Sequence, residues 1–238
     1  MKQYKWLLFD ADGTLLDFPL AERTSLCEAL AAQGIQANEE IIAAYSAIND
    51  AIWKQIEGGT FDRANLNAVR FSRLAERFGF VCDEERLGRE YFAAMARQGQ
   101  LIDGALDLCL ALKARYGLFI ITNGTASVQH GRLDGTPLLA CMDGLFISQE
   151  IGAEKPSPAF FDAVAAAIPG FEREGALVIG DSLSSDIAGG IAAGIDTCWY
   201  NPAGTTAPEN RTPTYTISSY DELRAMLLDS GSGRAFHG

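Results

Sequence analysis

Five short apolar runs, each halted near a Gly, Asn, Asp or Pro, set the strongest limit on what this chain can fold into. They cover residues 4–9, 118–122, 145–148, 176–180 and 197–200. They are near-continuous in apolar residues rather than alternating, the pattern of strands buried on both faces. Helical patterns lie between the later runs, over 105–115, 157–167 and 186–193. Strands that alternate with helices call for a parallel sheet covered on both sides. The expected fold class is therefore α/β, with a Rossmann-like doubly wound parallel sheet as its core. In such sheets reactive groups gather beyond the carboxyl ends of the strands.

One stretch does not alternate. Between about residues 20 and 98 there is only helical periodicity, with Ile41, Tyr45, Ile48 and Ile52 on one face and Leu66, Val69 and Leu74 continuing the habit. Gly34, Gly58, Gly59, Gly79 and Gly99 punctuate the block into roughly four helices. A length of 238 residues suits a core with such an insertion. The domains predicted are a catalytic core over 1–17 and 100–228, an inserted helical-bundle cap over 18–99, and a disordered Gly/Ser-rich tail over 229–238.

Charge narrows the choice of partners. With 31 acids against 19 bases the net charge is -12, so nucleic acid polymers and anionic membranes are poor partners. An anionic substrate would need positive charge supplied locally. Five unpatterned cysteines and two distant histidines, His130 and His237, argue for a reducing compartment and against a zinc site. No apolar run approaches the ~20 residues of a membrane span. These features predict a cytoplasmic protein, a monomer or weak dimer.

Four constellations carry chemistry. Asp10-Ala11-Asp12-Gly13-Thr14 follows the first run, and strand alternation would point Asp10 and Asp12 the same way. Two such close carboxylates repel unless a cation lies between them or one keeps its proton, which suits a hard divalent ion and an acid/base pair. Thr122-Asn123-Gly124 closes the second run, where a hydroxyl and backbone amides can hold a phosphate oxygen or simply cap a helix. Lys155-Pro156 follows the third, with Pro156 stiffening the backbone beside the ammonium. Gly180-Asp181-Ser182-Leu183-Ser184-Ser185-Asp186 follows the fourth. Asp181 is placed there for a metal, and Asp186 to cap a helix or orient Lys155 and a metal-bound water.

This order of motifs resembles the haloacid dehalogenase-like hydrolase superfamily, whose DxDx[TV], Ser/Thr, Lys and GDxxxxD signatures stand here as residues 10–14, Thr122, Lys155 and 180–186. The helical block is similar to the cap that family inserts after its first motif. The chain is closer still to the pyrimidine-type 5'-nucleotidase branch, in Phe-Asp-Ala-Asp followed by Leu-Leu-Asp-Phe, in Ile48-Asn49 and Trp53, in Arg70-Phe71, in Ile121-Thr122-Asn123-Gly124, in Gly189-Gly190 and in Cys198-Trp199. It departs from the branch at Gly135-Thr136-Pro137-Leu138, where a Thr/Ser-Gly-Leu is usual.

The resemblance implies a magnesium-dependent phosphomonoester hydrolase working through an aspartyl phosphate. Asp10 is the implied nucleophile and Asp12 the acid and base. Asp10, the Asp12 main-chain carbonyl and Asp181 hold Mg2+; Thr122, Asn123 and Lys155 hold the phosphoryl oxygens, with Lys155 counted among the catalytic groups; Asp186 supports. The implied substrate is a small phosphorylated metabolite, a nucleoside 5'-monophosphate with a pyrimidine base, and the alternative is a sugar phosphate or phosphoglycolate. Hydrolytic dehalogenases share the fold but commonly replace the second acid by Tyr, so Asp12 speaks for phosphoester chemistry. A non-catalytic phospho-ligand sensor would have no need of Asp10, Asp12, Lys155 and Asp181 together. In the cap, Asn49 and Trp53 are four apart on a predicted helix and share a face; an indole can stack on a base and an amide can read its edge. Phe18 is a third candidate beside them, and simple packing is an equally good account of Trp53.

Overall fold

The computed structural model describes residues 2–208 and 212–229. All but Asp229 of the tail expected over 229–238 lies outside the described residues. In chain order the elements are β1 (Trp6–Phe9), α1 (Phe18–Ala31), α2 (Glu39–Glu57), α3 (Leu66–Phe78), α4 (Glu84–Met95), α5 (Ala105–Lys113), β2 (Gly117–Thr122), α6 (Ala126–Asp134), β3 (Gly144–Ile147), α7 (Ser148–Ile151), α8 (Pro158–Ala167), β4 (Ala176–Gly180), α9 (Ala188–Ala192), β5 (Asp196–Tyr200), β6 (Tyr215–Ile217) and α10 (Tyr220–Leu228).

They divide into two compact units. One comprises the chain up to Leu16, Leu101–Gly124 and the chain from Pro137 onward. It is built on a six-stranded sheet in the order β3-β2-β1-β4-β5-β6, parallel throughout. This is the doubly wound arrangement the apolar runs predicted, with one strand more. Leu7, Leu8 and Phe9 in β1 are fully buried, because a central strand flanked on both faces has no solvent side. On one face Leu8, Phe119, Ile121 and Val178 pack against Phe160, Phe161 and Val164 of α8.

The strand order does the positioning. Strand β1 pairs with β2 on one side and β4 on the other, with Phe9 opposite Ile120 and Ile179. The carboxyl ends of β2, β1 and β4 therefore stand in a row, and the strand order reverses at β1, with β2 and β3 added on one side and β4 to β6 on the other. A crevice at such a switch point is where doubly wound sheets bind ligands.

The other unit comprises Asp17–Gln100 and Thr125–Thr136. Helices α1 to α4 have an apolar interior of Leu26, Leu30, Tyr45, Phe71, Leu74, Leu87 and Tyr91. Side-chain oxygens of Asp17, Asn38 and Asp83 accept the first free backbone N–H groups of α1, α2 and α4, the usual way of ending a helix cleanly. Residues 125–136, which the sequence placed in the core, cluster with this unit instead. Val128 of α6 joins its apolar interior, and buried Arg132 donates from Nε to the Gln98 carbonyl at 2.9 Å. No helix among the described residues is long and apolar enough to cross a membrane.

Candidate active site at the carboxyl edge of the sheet

Asp10 is the first residue beyond β1, its backbone N–H still donating to the Ile179 carbonyl of β4 at 2.8 Å. The residue is 6 % exposed. Beyond it the chain does not continue as a strand: Ala11 O accepts from the N–H groups of both Leu15 and Leu16, closing a tight turn. That turn, rather than strand alternation, places Asp12, which is half-buried. Gly13 sits in this turn at φ 81°, and a Cβ there would come within 2.6 Å of Asp181 Oδ2. A side chain would be strained at that φ and would displace the carboxylate beside it.

Lys155 reaches the same point from the loop between α7 and α8. Its ammonium is 1 % exposed and donates to Asp10 Oδ1 at 2.6 Å, Asp186 Oδ1 at 2.7 Å and the Ile121 carbonyl at 2.9 Å. The Asn123 side chain clasps its backbone, accepting from Lys155 N at 2.9 Å and donating to Lys155 O at 2.8 Å. The sequence assigned Asn123 to phosphate binding and gave no sign of this clasp, which joins residues 32 apart. Thr122 is buried, and its hydroxyl oxygen accepts from Gly124 N at 3.0 Å.

The fourth motif folds as a wide turn over Leu183–Ile187. Ser182 caps it, accepting from Ser185 N at 3.2 Å, and Asp186 Oδ2 accepts from Ser182 N at 3.1 Å. Asp186 is fully buried against Gly180, where a Cβ would overlap its carboxylate at 2.2 Å. Asp181 retains exposed surface at the rim.

One oxygen each from Asp10, Asp181 and Asp186 lie within 4.8 Å of one another. Three carboxylates against one ammonium leave negative charge in excess, and the acidities show it. Burial pushes the Asp10 carboxyl well above its usual range; Lys155 opposes this, and Asp186, Asp181 and Asp12 add to it. Asp181 rises to about 7, first from the desolvation of its charged form and then from Asp186. Burial alone would lower the Lys155 ammonium, but Asp10 and Asp186 hold it above its ordinary value. A cluster of hard oxygens with surplus negative charge fits a small divalent cation such as magnesium.

In the helical unit the three candidates have separate surroundings. Asn49 is 1 % exposed and its amide is engaged at both ends, donating from Nδ2 to Glu22 Oε1 at 2.9 Å and accepting from Arg70 Nη1 at 3.2 Å. Burial raises the Glu22 carboxyl, against hydrogen bonds from Ser46 and Asn49. The Arg70 guanidinium lies 4.6 Å from the Tyr91 ring centroid and 4.9 Å from that of Phe71. Trp53 is half-buried beside Ile52, Ile56 and Leu66, with the Arg63 guanidinium 5.4 Å over its ring. Phe18 opens α1, half-buried against the helical interior.

Known proteins share the sequence and fold of this chain. Residues 4–194 match the haloacid dehalogenase-like hydrolase family. The pyrimidine 5'-nucleotidase PynA of Streptococcus pneumoniae is 40% identical over 94% of this chain and 95% of its own length. The pyrimidine 5'-nucleotidase YjjG of Escherichia coli is 34% identical over 94% of this chain and 98% of its own. A crystal structure of the Bacillus subtilis HAD-hydrolase YfnB, bound to magnesium, superposes with a TM-score of 0.92 at 38% identity, covering 95% of this chain and all of that one. The sheet order, the motif residues at its carboxyl edge and these likenesses together show that the chain belongs to the haloacid dehalogenase-like hydrolase family.

Proposed function

We propose that the chain is a magnesium-dependent phosphomonoester hydrolase acting through an aspartyl phosphate on nucleoside 5'-monophosphates, with pyrimidine bases preferred. The observation that carries it is the buried Lys155 ammonium bonded at once to Asp10 and Asp186, beside Thr122 and below an acidic rim. The pyrimidine preference is supported by the relatives named for that activity.

Asp10 attacks phosphorus in line and the ester oxygen departs, which divides one hard hydrolysis into two easier displacements. Asp12 protonates the leaving oxygen, then takes a proton from the water that attacks the aspartyl phosphate. Lys155 and the donors at Thr122 and Asn123 stabilise the phosphoryl oxygens as charge moves in the transition state. Asp186 holds the ammonium in place. Asp10, Asp181 and the Asp12 main-chain carbonyl would hold magnesium, which when bound offsets the surplus negative charge facing a dianionic substrate.

Chelation is expected to abolish phosphate release, and added magnesium to restore it. Asp181→Ala should raise the magnesium requirement or eliminate turnover, and calcium should inhibit, because its larger and looser shell misplaces the nucleophile. Full activity in excess chelator would contradict the metal-dependent scheme.

Selectivity is proposed to rest on the helical unit, with Phe18, Asn49 and Trp53 as its candidates. A panel of uridine and thymidine monophosphates, ribose 5-phosphate, phosphoglycolate and p-nitrophenyl phosphate should show the highest kcat/KM for the nucleotides. Asn49→Ala should lower that value about ten-fold for nucleotides and much less for p-nitrophenyl phosphate. Equal losses on both would mark Asn49 as purely structural; a sugar phosphate at the top of the panel would replace the nucleotide reading.

A further inference from the structure

Aromatic residues outside the four motifs hold the two acidic loops by their main chains. Trp199, near the end of β5, donates its indole N–H to the Asp181 carbonyl oxygen at 2.8 Å. Tyr220, the first residue of α10, donates its hydroxyl to the Thr14 carbonyl oxygen at 2.6 Å. The Tyr220 ring stacks on Tyr200, with centroids 5.1 Å apart and planes 8° from parallel. The anchored loops meet each other where Thr14 Oγ1 donates to Asp181 Oδ1 at 3.4 Å and where the Gly13 backbone crosses the Asp181 carboxylate.

Each bond ends on a peptide carbonyl rather than on a reacting group. Asp181 is the exposed residue of the acidic cluster, and the long Thr14 bond is a weak restraint on its carboxylate. Its placement therefore depends on where the main chain of the loop is held. Trp199, 5 % exposed, supplies a rigid donor for that purpose, and Tyr220 does the same for the loop that carries Asp10 and Asp12.

We infer that Trp199 and Tyr220 are positioning residues for the divalent cation: by anchoring the main chains of the two acidic loops they set its affinity without touching metal or substrate. This rests on the metal-dependent reading above. Hydrogen-bonded partners of metal ligands commonly change metal affinity by about 10- to 100-fold when removed.

Binding of Mn2+ to substrate-free protein, followed by electron paramagnetic resonance, and of Mg2+, followed by calorimetry, tests it independently of turnover. Trp199→Phe and Tyr220→Phe should each weaken binding about ten-fold, and kcat at saturating magnesium should fall by a smaller factor than affinity does. Tyr220→Phe removes one oxygen and keeps the stacked ring, so it carries the test if Trp199→Phe folds poorly. The control is Tyr4→Phe, whose hydroxyl bonds Asp196 at 2.7 Å and Tyr215 at 3.1 Å near the amino ends of the strands. It should bind metal like the parent. Parent-like affinity in both test variants would overturn the inference and make the two bonds structural. A parent that binds no divalent cation would overturn the metal-dependent reading itself, along with the inference built on it.

Discussion

Asp10→Asn protein is expected to fold like the parent and to lose turnover by several orders of magnitude, the scale seen when a covalent nucleophile is removed. The substitution is isosteric at a site that is 6 % exposed. The backbone bond to Ile179 is untouched, and the amide oxygen can still accept from Lys155. What disappears is the proposed nucleophile, because an amide oxygen attacks phosphorus poorly. One of three crowded negative charges also goes, so metal-free Asp10→Asn should melt no lower than metal-free parent. Phosphate release within about a hundred-fold of the parent, in protein free of contaminating phosphatase, would contradict the covalent scheme, since loss of a nucleophile costs far more.

Lys155→Met should be damaging in a second way. The methionine fills similar space but leaves Asp10 and Asp186, both buried, and the Ile121 carbonyl without their shared donor. Breaking a buried ion pair from one side costs about 3–5 kcal/mol. Chemical denaturation should show a loss of that size, and kcat should fall at least about a hundred-fold, the effect of deleting one donor to the developing charge. Adding Asp186→Asn removes one of the orphaned charges. The double variant should recover part of the stability and none of the activity, a non-additivity expected only of residues in one network. A Lys155→Met protein as stable as the parent would mean that the ion-pair geometry contributes nothing to the fold.

Much of the core was legible in sequence because its physics is local and repetitive. Strands β1, β2 and β4 are buried on both faces and so read as unbroken apolar runs, and each ends on a motif that punctuates it. Strand β6 escaped notice because Tyr215–Ile217 is three residues long and half-exposed. Alternation presumed a strand continuing through Asp12, whereas the strand ends at Phe9 and a turn takes over. The Asn123 clasp on Lys155 could not be read either, because it depends on β2 and β3 being neighbours.

The helical unit was legible as helices and not as an interior. Glu22, Asn49 and Arg70 lie on three different helices, 27 and 21 residues apart in the bonds they make. Charged residues at such positions read as solvated faces, whereas here they are buried and joined through one amide. Helix α6 carries no signal of which unit it packs in. The deciding contacts at Val128 and Arg132 are tertiary.

The covalent role proposed for Asp10 is tested most directly by catching the phosphorylated enzyme. Parent protein mixed with magnesium and a nucleoside 5'-monophosphate, quenched in acid during turnover and reduced with borohydride, should yield a peptide in which Asp10 has become homoserine. Borohydride reduces an acyl phosphate and leaves a free carboxylate alone, so the label marks the residue that carried the phosphoryl group. Homoserine at position 10, absent without substrate, is the predicted result; an unmodified Asp10 in enzyme quenched at full turnover, or homoserine at another aspartate, would contradict the account.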